Sequence, residues 1–272
     1  MEIESITELD LFIPFRERKQ VVSMRDLSKL EGKIRAIPWL YFKLRKLVPY
    51  LNIFFSVERD FIALRLLDFS ERSGIAVDVG FNDGISSVSI IKNSNLRVIA
   101  FEPLKIEMNK LIKLYLRNIE IYQVGLGEKS ERLDIYVPSY QGKQMFPYAS
   151  TNQEVLKTNV SRDLSIGVHE IFISKKEIEI LTLDSYNLEV SFLKIDTEGT
   201  ELQVLKGSFK TISRHHPYIL IEIAAQSNFE EIHGYLREWG YVPYCFHNRK
   251  FTKAPNWDSG TRNYWFFSAD PG

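Results

Sequence analysis

From Gly74 onward the chain repeats one pattern that few folds accommodate. A short apolar run ends in an acid or a glycine, and a stretch with apolar residues at helical spacing follows. IAVDVG (75–80) precedes Ile85, Val88 and Ile91 at three-residue steps. RVIAFE (97–102) precedes Pro103, well suited to a first helical position, and a stripe of Met108, Leu111, Ile112 and Tyr115. SFLKID (191–196) leads into Leu202, Leu205, Phe209 and Ile212, and YILIEIA (218–224) into a helix near 228–239. Continuous apolar runs read as strands buried on both faces. Their alternation with helices predicts an α/β fold, doubly wound, with a parallel sheet covered on both sides. IEIYQVGLG (119–127) reads as a third strand. YVPYCFH (241–247) and NYWFFSA (263–269) have no helix between them, so one strand of this pair is expected to run antiparallel.

Two stretches break the pattern. In 128–190, RLDIYV and EIFISKKEIEILTL read as added strands around a polar loop, roughly 138–165; such a loop in a compact domain is usually a lid or binding loop. Residues 1 to about 70 read as a mostly helical extension ahead of a domain spanning 71–272. Between Arg16 and Lys46 it carries ten Lys or Arg against three acids, interleaved with aromatics. That mixture suits a packing or dimerisation cap, or a dock for an anionic acceptor or membrane surface. The whole chain has 35 basic and 35 acidic residues, which gives no global drive toward nucleic acid. Cys245, the one cysteine, excludes an internal disulfide and a Cys-based zinc site. The acidic start MEIESITELD is unlike a signal peptide, and no apolar run nears the roughly 20 residues of a membrane span. A cytoplasmic location is expected.

The chemistry concentrates where strands end. In DVGFNDG (78–84), Gly80 and Gly84 allow a sharp strand-to-helix turn and close approach of a ligand to the backbone. Glu102 ends the second strand, where an acid accepts both hydroxyls of a ribose in a doubly wound sheet. The spacing Gly80-x-x-x-Gly84, with Asn82 and Asp83 inside, lacks the third glycine of a dinucleotide fingerprint and any adjacent Lys or Arg. A cofactor without phosphates fits better. S-adenosylmethionine is one, and its ammonium would favour the carboxylate of Asp78. In LKIDTEGTELQVLKG (193–207), Asp196 sits at a strand's carboxyl end with Lys194 two residues away on the same face. Glu198 and Glu201 follow at the turn and helix start, and for Glu201 the helix dipole is sufficient explanation. Glu222 is an acid inside an apolar strand, costly unless paired or functional.

In this order DVGFNDG, AFEP (100–103), VGLGE (124–128), LTLDSY (181–186), LKIDTEGTELQVLKG and IEI (221–223) resemble the FkbM-family methyltransferases, over about residues 74–224. The resemblance implies S-adenosylmethionine-dependent methylation of hydroxyls on sugars, glycans and natural products. It also implies a seven-stranded, mostly parallel class I methyltransferase sheet. Gly80 and Gly84 would line the methionine and ribose, Glu102 would bind the ribose hydroxyls, and Gly125 and Leu126 would lie near the adenine. Phe81 and Asp83 depart from the residues the family often shows. Asp196 and Glu222, as hard oxygen ligands, could hold Mg²⁺ and a sugar diol. Without metal, Asp196 or a histidine, His169 first, could be the base. Methylation of nitrogen or nucleic acid is the rival reading, disfavoured because no Asn/Asp-Pro-Pro-aromatic motif occurs. A non-catalytic scaffold is the other.

Overall fold

The computed structural model describes residues 59–70, 74–105 and 116–268. The extension as far as residue 58 and the helix expected around Met108, Leu111, Ile112 and Tyr115 lie outside the described residues. The strands are β1 Ile75–Val79, β2 Arg97–Phe101, β3 Ile119–Tyr122, β4 Gly125–Leu126, β5 Glu131–Tyr140 and β6 Lys143–Gln144, then β7 Phe172–Leu181, β8 Val190–Ile195, β9 Tyr218–Glu222, β10 Val242–His247, β11 Lys250–Lys253 and β12 Asn263–Phe267. The α-helices are α1 Ile85–Asn93, α2 Gln153–Leu164, α3 Glu201–Lys206, α4 Phe209–His215 and α5 Gln226–Arg237. No described helix is long and apolar enough to cross a membrane.

Among the described residues the main sheet has eight strands in the order β11-β10-β12-β9-β8-β1-β2-β3. β3, β2, β1, β8 and β9 are parallel, as their apolar runs predict. β12 runs antiparallel between β9 and β10, and β11 antiparallel to β10. The sheet is thus mixed and eight-stranded, where seven strands with one antiparallel member were expected. The extra strand follows from Asn248 and Arg249, whose φ of 50° and 61° turn the chain straight back after His247, the positive-φ pair of a tight hairpin.

Alternation along each strand divides the core between the two faces. Val77, Val79, Leu193, Ile195, Ile219 and Ile221 pack with Val204 and Leu205 of α3, Ile212 of α4 and Phe229, Ile232 and Leu236 of α5. Ala76, Val98, Ala100, Phe192, Leu220 and Trp265 pack on the opposite face with Val88 and Ile90 of α1. Phe61, Ala63 and Leu64 from the 3-10 turn Arg59–Leu66 join this second face. Each large apolar side chain buried this way contributes about 1.5–3 kcal/mol before entropy is counted.

Three local expectations are corrected. The run 119–127 is two strands: β3 stays in the main sheet, whereas β4 pairs with β7 in a four-stranded second sheet, order β4-β7-β5-β6. The polar stretch 138–165 is not irregular, because it contains β6 and α2. Met145, Leu156, Val160 and Leu164, with Ile166 and Ile171, give it a small core of its own. The stripe from Leu202 to Ile212 belongs to two helices, interrupted at Gly207. There the backbone passes so close to the second sheet that a Cβ on Gly207 would lie 1.8 Å from the Gly127 carbonyl oxygen. The carboxylate of Asp184 restarts the helix by accepting the Lys210 and Thr211 amides at 2.9 and 2.8 Å. Phe209 consequently leaves the core and lies edge-on to Trp239.

Gly207→Ala therefore sets a methyl against backbone that no rotamer change can clear. We expect a loss of about 1–3 kcal/mol, the usual cost of overpacking, read as a melting temperature lower by roughly 2–4 °C per kcal/mol. An unchanged melting temperature would show that the two sheets are not locked at Gly207.

Candidate functional site

The strand order reverses direction between β1 and β8, and an open α/β sheet places its ligand crevice at the carboxyl ends of the strands beside such a reversal. The turns after β1 and β8 meet there. Gly80 has φ +86°, and a Cβ on it would lie 1.9 Å from the Asp196 carbonyl oxygen. Its amide and that of Phe81 donate to the Phe101 carbonyl at 3.0 and 3.2 Å, while the Asp196 amide donates to Val79 at 3.0 Å. Only glycine fits this crossing. Phe81 turns down into the core, and Gly84, φ +83°, starts α1.

Asn82 takes a left-handed φ of 49°, which asparagine tolerates, and donates its amide to Glu102 Oε2 at 3.0 Å. The Leu104 amide donates to Oε1 at 3.0 Å. Both oxygens of this half-buried carboxylate are thereby oriented, each with a lone pair to spare. Burial pushes Glu102 above the usual carboxylate range; the two amides and Lys194 pull it back, and Asp78 pushes it up.

Beneath this turn Lys194 carries the electrostatics. Its Nζ, almost fully buried, lies 3.2 Å from Asp78 Oδ1, 3.4 Å from Asp196 Oδ2 and 3.2 Å from the Gly80 carbonyl oxygen. Asp78 is completely buried, and its Oδ2 also accepts the Ser86 and Ser87 hydroxyls at 2.7 and 2.6 Å. Asp78, expected beside a ligand ammonium, lies beneath the turn and out of solvent. Its charge is answered from within the protein, because strand alternation points it at Lys194.

Next to Asp196 stand Glu198 and Glu222. Glu222 pairs with Arg262 Nη1 at 3.2 Å. Burial pushes its carboxyl up, as does Asp196, against Arg262 and Lys194. Glu198 occupies a left-handed turn, φ 56°, and its pKa is raised to about 7 by desolvation of the carboxyl, then by Asp196, Glu222 and Glu201, against Arg262. The residue as a whole is open to solvent, which weakens the desolvation and leaves the neighbouring carboxylates as the second cause of that shift. Glu201 does more than face the helix dipole: its Oε1 accepts the Thr197 and Gly199 amides at 3.1 and 2.9 Å and folds the turn that presents Asp196.

Lys194, Asp196, Glu222, Gly80, Asn82, Gly84 and Glu102 thus meet at one edge. The other expected residues do not join them by contact. His169 is exposed on the 3-10 turn Val168–Glu170 of the insertion. Gly125 packs against Ile180 and Pro103, and Leu126 is buried in the core. Asp196 and Glu222, expected as a pair of metal ligands, each face a cation instead of a third acid. Each carboxylate is already answered by a cation, and among the described residues no three His, Cys, Asp or Glu side chains converge to hold a metal ion. Single-sequence reading missed Arg262, whose place beside Glu222 depends on the antiparallel pairing of β12 with β9.

A raised acid binds its proton more tightly folded than unfolded, so its cost to stability grows as pH rises from about 4.5 through 7 and is full above that. Glu198→Gln is accordingly expected to melt higher than the parent at pH 8. The gain should shrink toward pH 5 and vanish below 4.5 in thermal scans at each pH. A gain independent of pH would argue against crowding by the carboxylates.

A protein-family model, the methyltransferase FkbM domain, matches residues 78–243. No curated protein matches the sequence. Among solved structures, the methyltransferase FkbM of Methylobacillus flagellatus KT is 17% identical with a TM-score of 0.43; the match covers 89% of this chain and 59% of that one. This chain therefore spans less than two thirds of that protein's length. Precorrin-6y C5,15-methyltransferase of Geobacter metallireducens GS-15 is 11% identical with a TM-score of 0.37, over 77% of this chain and 85% of that one.

Proposed function

We propose, from the premise that this chain belongs to the FkbM methyltransferase family, that it moves a methyl group from S-adenosylmethionine to a hydroxyl of a sugar, glycan or glycosylated small molecule. One observation carries the reading. An acid that ends β2, with both oxygens oriented by backbone amides, faces the same crevice as the strand-end acids Asp196 and Glu222. The eight-stranded sheet supports a class I methyltransferase architecture widened by the β10–β11 hairpin.

The residues present fit the cofactor. The spare lone pairs of Glu102 suit the two hydroxyls of a ribose. Six carboxylates, those of Asp78, Glu102, Asp196, Glu198, Glu201 and Glu222, interact across this edge with two cations, Lys194 and Arg262. Such an edge favours a positively charged ligand over a phosphate-bearing one. The turn of Gly80 to Gly84 would hold the methionine and ribose. Gly125 and Leu126 would contribute through the position of β4, beside the adenine.

When bound, S-adenosylmethionine supplies an electrophilic methyl group. The chain's part is to align an acceptor oxygen with it and to take that oxygen's proton. Asp196 is the base in this reading. Lys194 holds Oδ2 and so aims the other oxygen at the crevice, and the proton of the acceptor hydroxyl passes to that carboxylate. Glu222, steadied by Arg262, receives a hydroxyl of the same acceptor.

Asp196→Asn keeps the shape and removes the base. Turnover of labelled cofactor against a glycan panel should fall by about 10² or more, while S-adenosylhomocysteine binding by calorimetry persists. Full activity would remove Asp196 from the chemistry. Glu102→Ala is expected to do the converse, with S-adenosylhomocysteine affinity falling by about tenfold or more through loss of charge-assisted hydrogen bonds. Unchanged affinity would remove Glu102 from the ribose.

A further inference from the structure

We infer that Asn263, oriented by Asp60, forms a wall of this site that recognises a second hydroxyl of a polyhydroxy acceptor. The inference rests on the methyltransferase reading above and adds a specificity element to it. Asn263 begins β12 and lies in register with Glu222 across the antiparallel ladder. Leu220 and Trp265 belong to the core face that carries α1, so alternation turns Glu222 and Asn263 to that same face. The polar edge of the sheet therefore continues from Asp196 through Glu222 to Asn263.

Asp60 meets this edge from the 3-10 turn Arg59–Leu66, which Phe61, Ala63 and Leu64 anchor in the core of the same face. Its Oδ2 accepts a hydrogen bond from Asn263 Nδ2 at 2.8 Å. The two residues are 203 positions apart, and both lie outside the matched span 78–243. The wall is thus built from segments that flank the family domain.

The chemistry of the pair is directional. An ionised carboxylate only accepts, so Asp60 takes the amide N–H and thereby decides which way the Asn263 amide faces. Burial pushes the Asp60 pKa up, while the Asn263 hydrogen bond and nearby His247 pull it down. Asn263 keeps Oδ1 and one N–H for a ligand, a donor and an acceptor side by side, which is the complement of a hydroxyl. Both residues are half-buried, where such bonds discriminate better than in open water. A sugar presenting one hydroxyl to Asp196 would offer its neighbour to Glu222 and Asn263. Asp60 acts through Asn263 and is a positioning residue.

The test uses methyl α-mannoside and its deoxy analogues as probes, followed by saturation-transfer NMR on the full chain loaded with S-adenosylhomocysteine. The parent should bind the glycoside. Asp60→Asn and Asn263→Ser should each weaken it by about fivefold or more, the loss of roughly one hydrogen bond. Affinity for S-adenosylhomocysteine by calorimetry should stay within about twofold. Combining Asp60→Asn with Asn263→Asp keeps the hydrogen bond but reverses its polarity. That variant should recover the parent melting temperature without recovering glycoside binding. The inference is overturned if the reversed pair restores glycoside binding, as a purely structural role requires. It is equally overturned if the single variants bind normally, if cofactor affinity falls in parallel, or if the parent binds no glycoside. A parent that binds glycoside but not S-adenosylhomocysteine would instead overturn the methyltransferase reading.

Discussion

The site is organised around one buried ammonium. Lys194 sits among Asp78, Asp196 and the Gly80 carbonyl, so the turn after β1 and the turn after β8 are fastened to the same charge. For Asp78, which is fully buried, that ammonium offsets a desolvation cost that would otherwise reach several kcal/mol. The interlock leaves no room for adjustment: the Gly80 backbone rests on the Asp196 carbonyl, and a single added carbon would force the two turns apart. The turn after β1 and the strand end at Asp196 are in this sense one structural unit.

Around that unit the electrostatics are graded. Asp78 and Lys194 are sealed beneath the surface, Glu102 and Glu222 are half-buried with oriented partners, and Glu198 stands at the rim with its proton held to about pH 7. Excess negative charge at a strand-end crevice destabilises the empty protein. The same excess gives a cationic ligand something to neutralise, so binding and folding draw on one field.

Much of this was legible in the sequence, and the parts that were not share a cause. The runs IAVDV, RVIAF, VSFLKI and YILIE announce themselves because a parallel strand covered on both faces must be apolar throughout. Asp196, Lys194 and Glu222 stand out against that background for the same reason. What escaped depends on which segments meet. Gly207 reads as an ordinary helical residue until the second sheet passes over it, and the run 119–127 reads as one strand until Gly125 is claimed by β7. Arg262, Asn263 and Asp60 carry no local signal, since they come beside Glu222 or one another only when β12 inserts beside β9.

That insertion also sets an order of assembly. β12 lies inside the sheet, flanked by β9 and β10, although both neighbours precede it in the chain. While the polypeptide is being synthesised, everything through His247 can be made with two strand edges still bare and Glu222 still lacking Arg262. The last interior strand acts as a keystone: its arrival closes the sheet and brings Arg262 to Glu222 in one step. During the interval before it, the nascent chain is most exposed to pairing with the wrong strand.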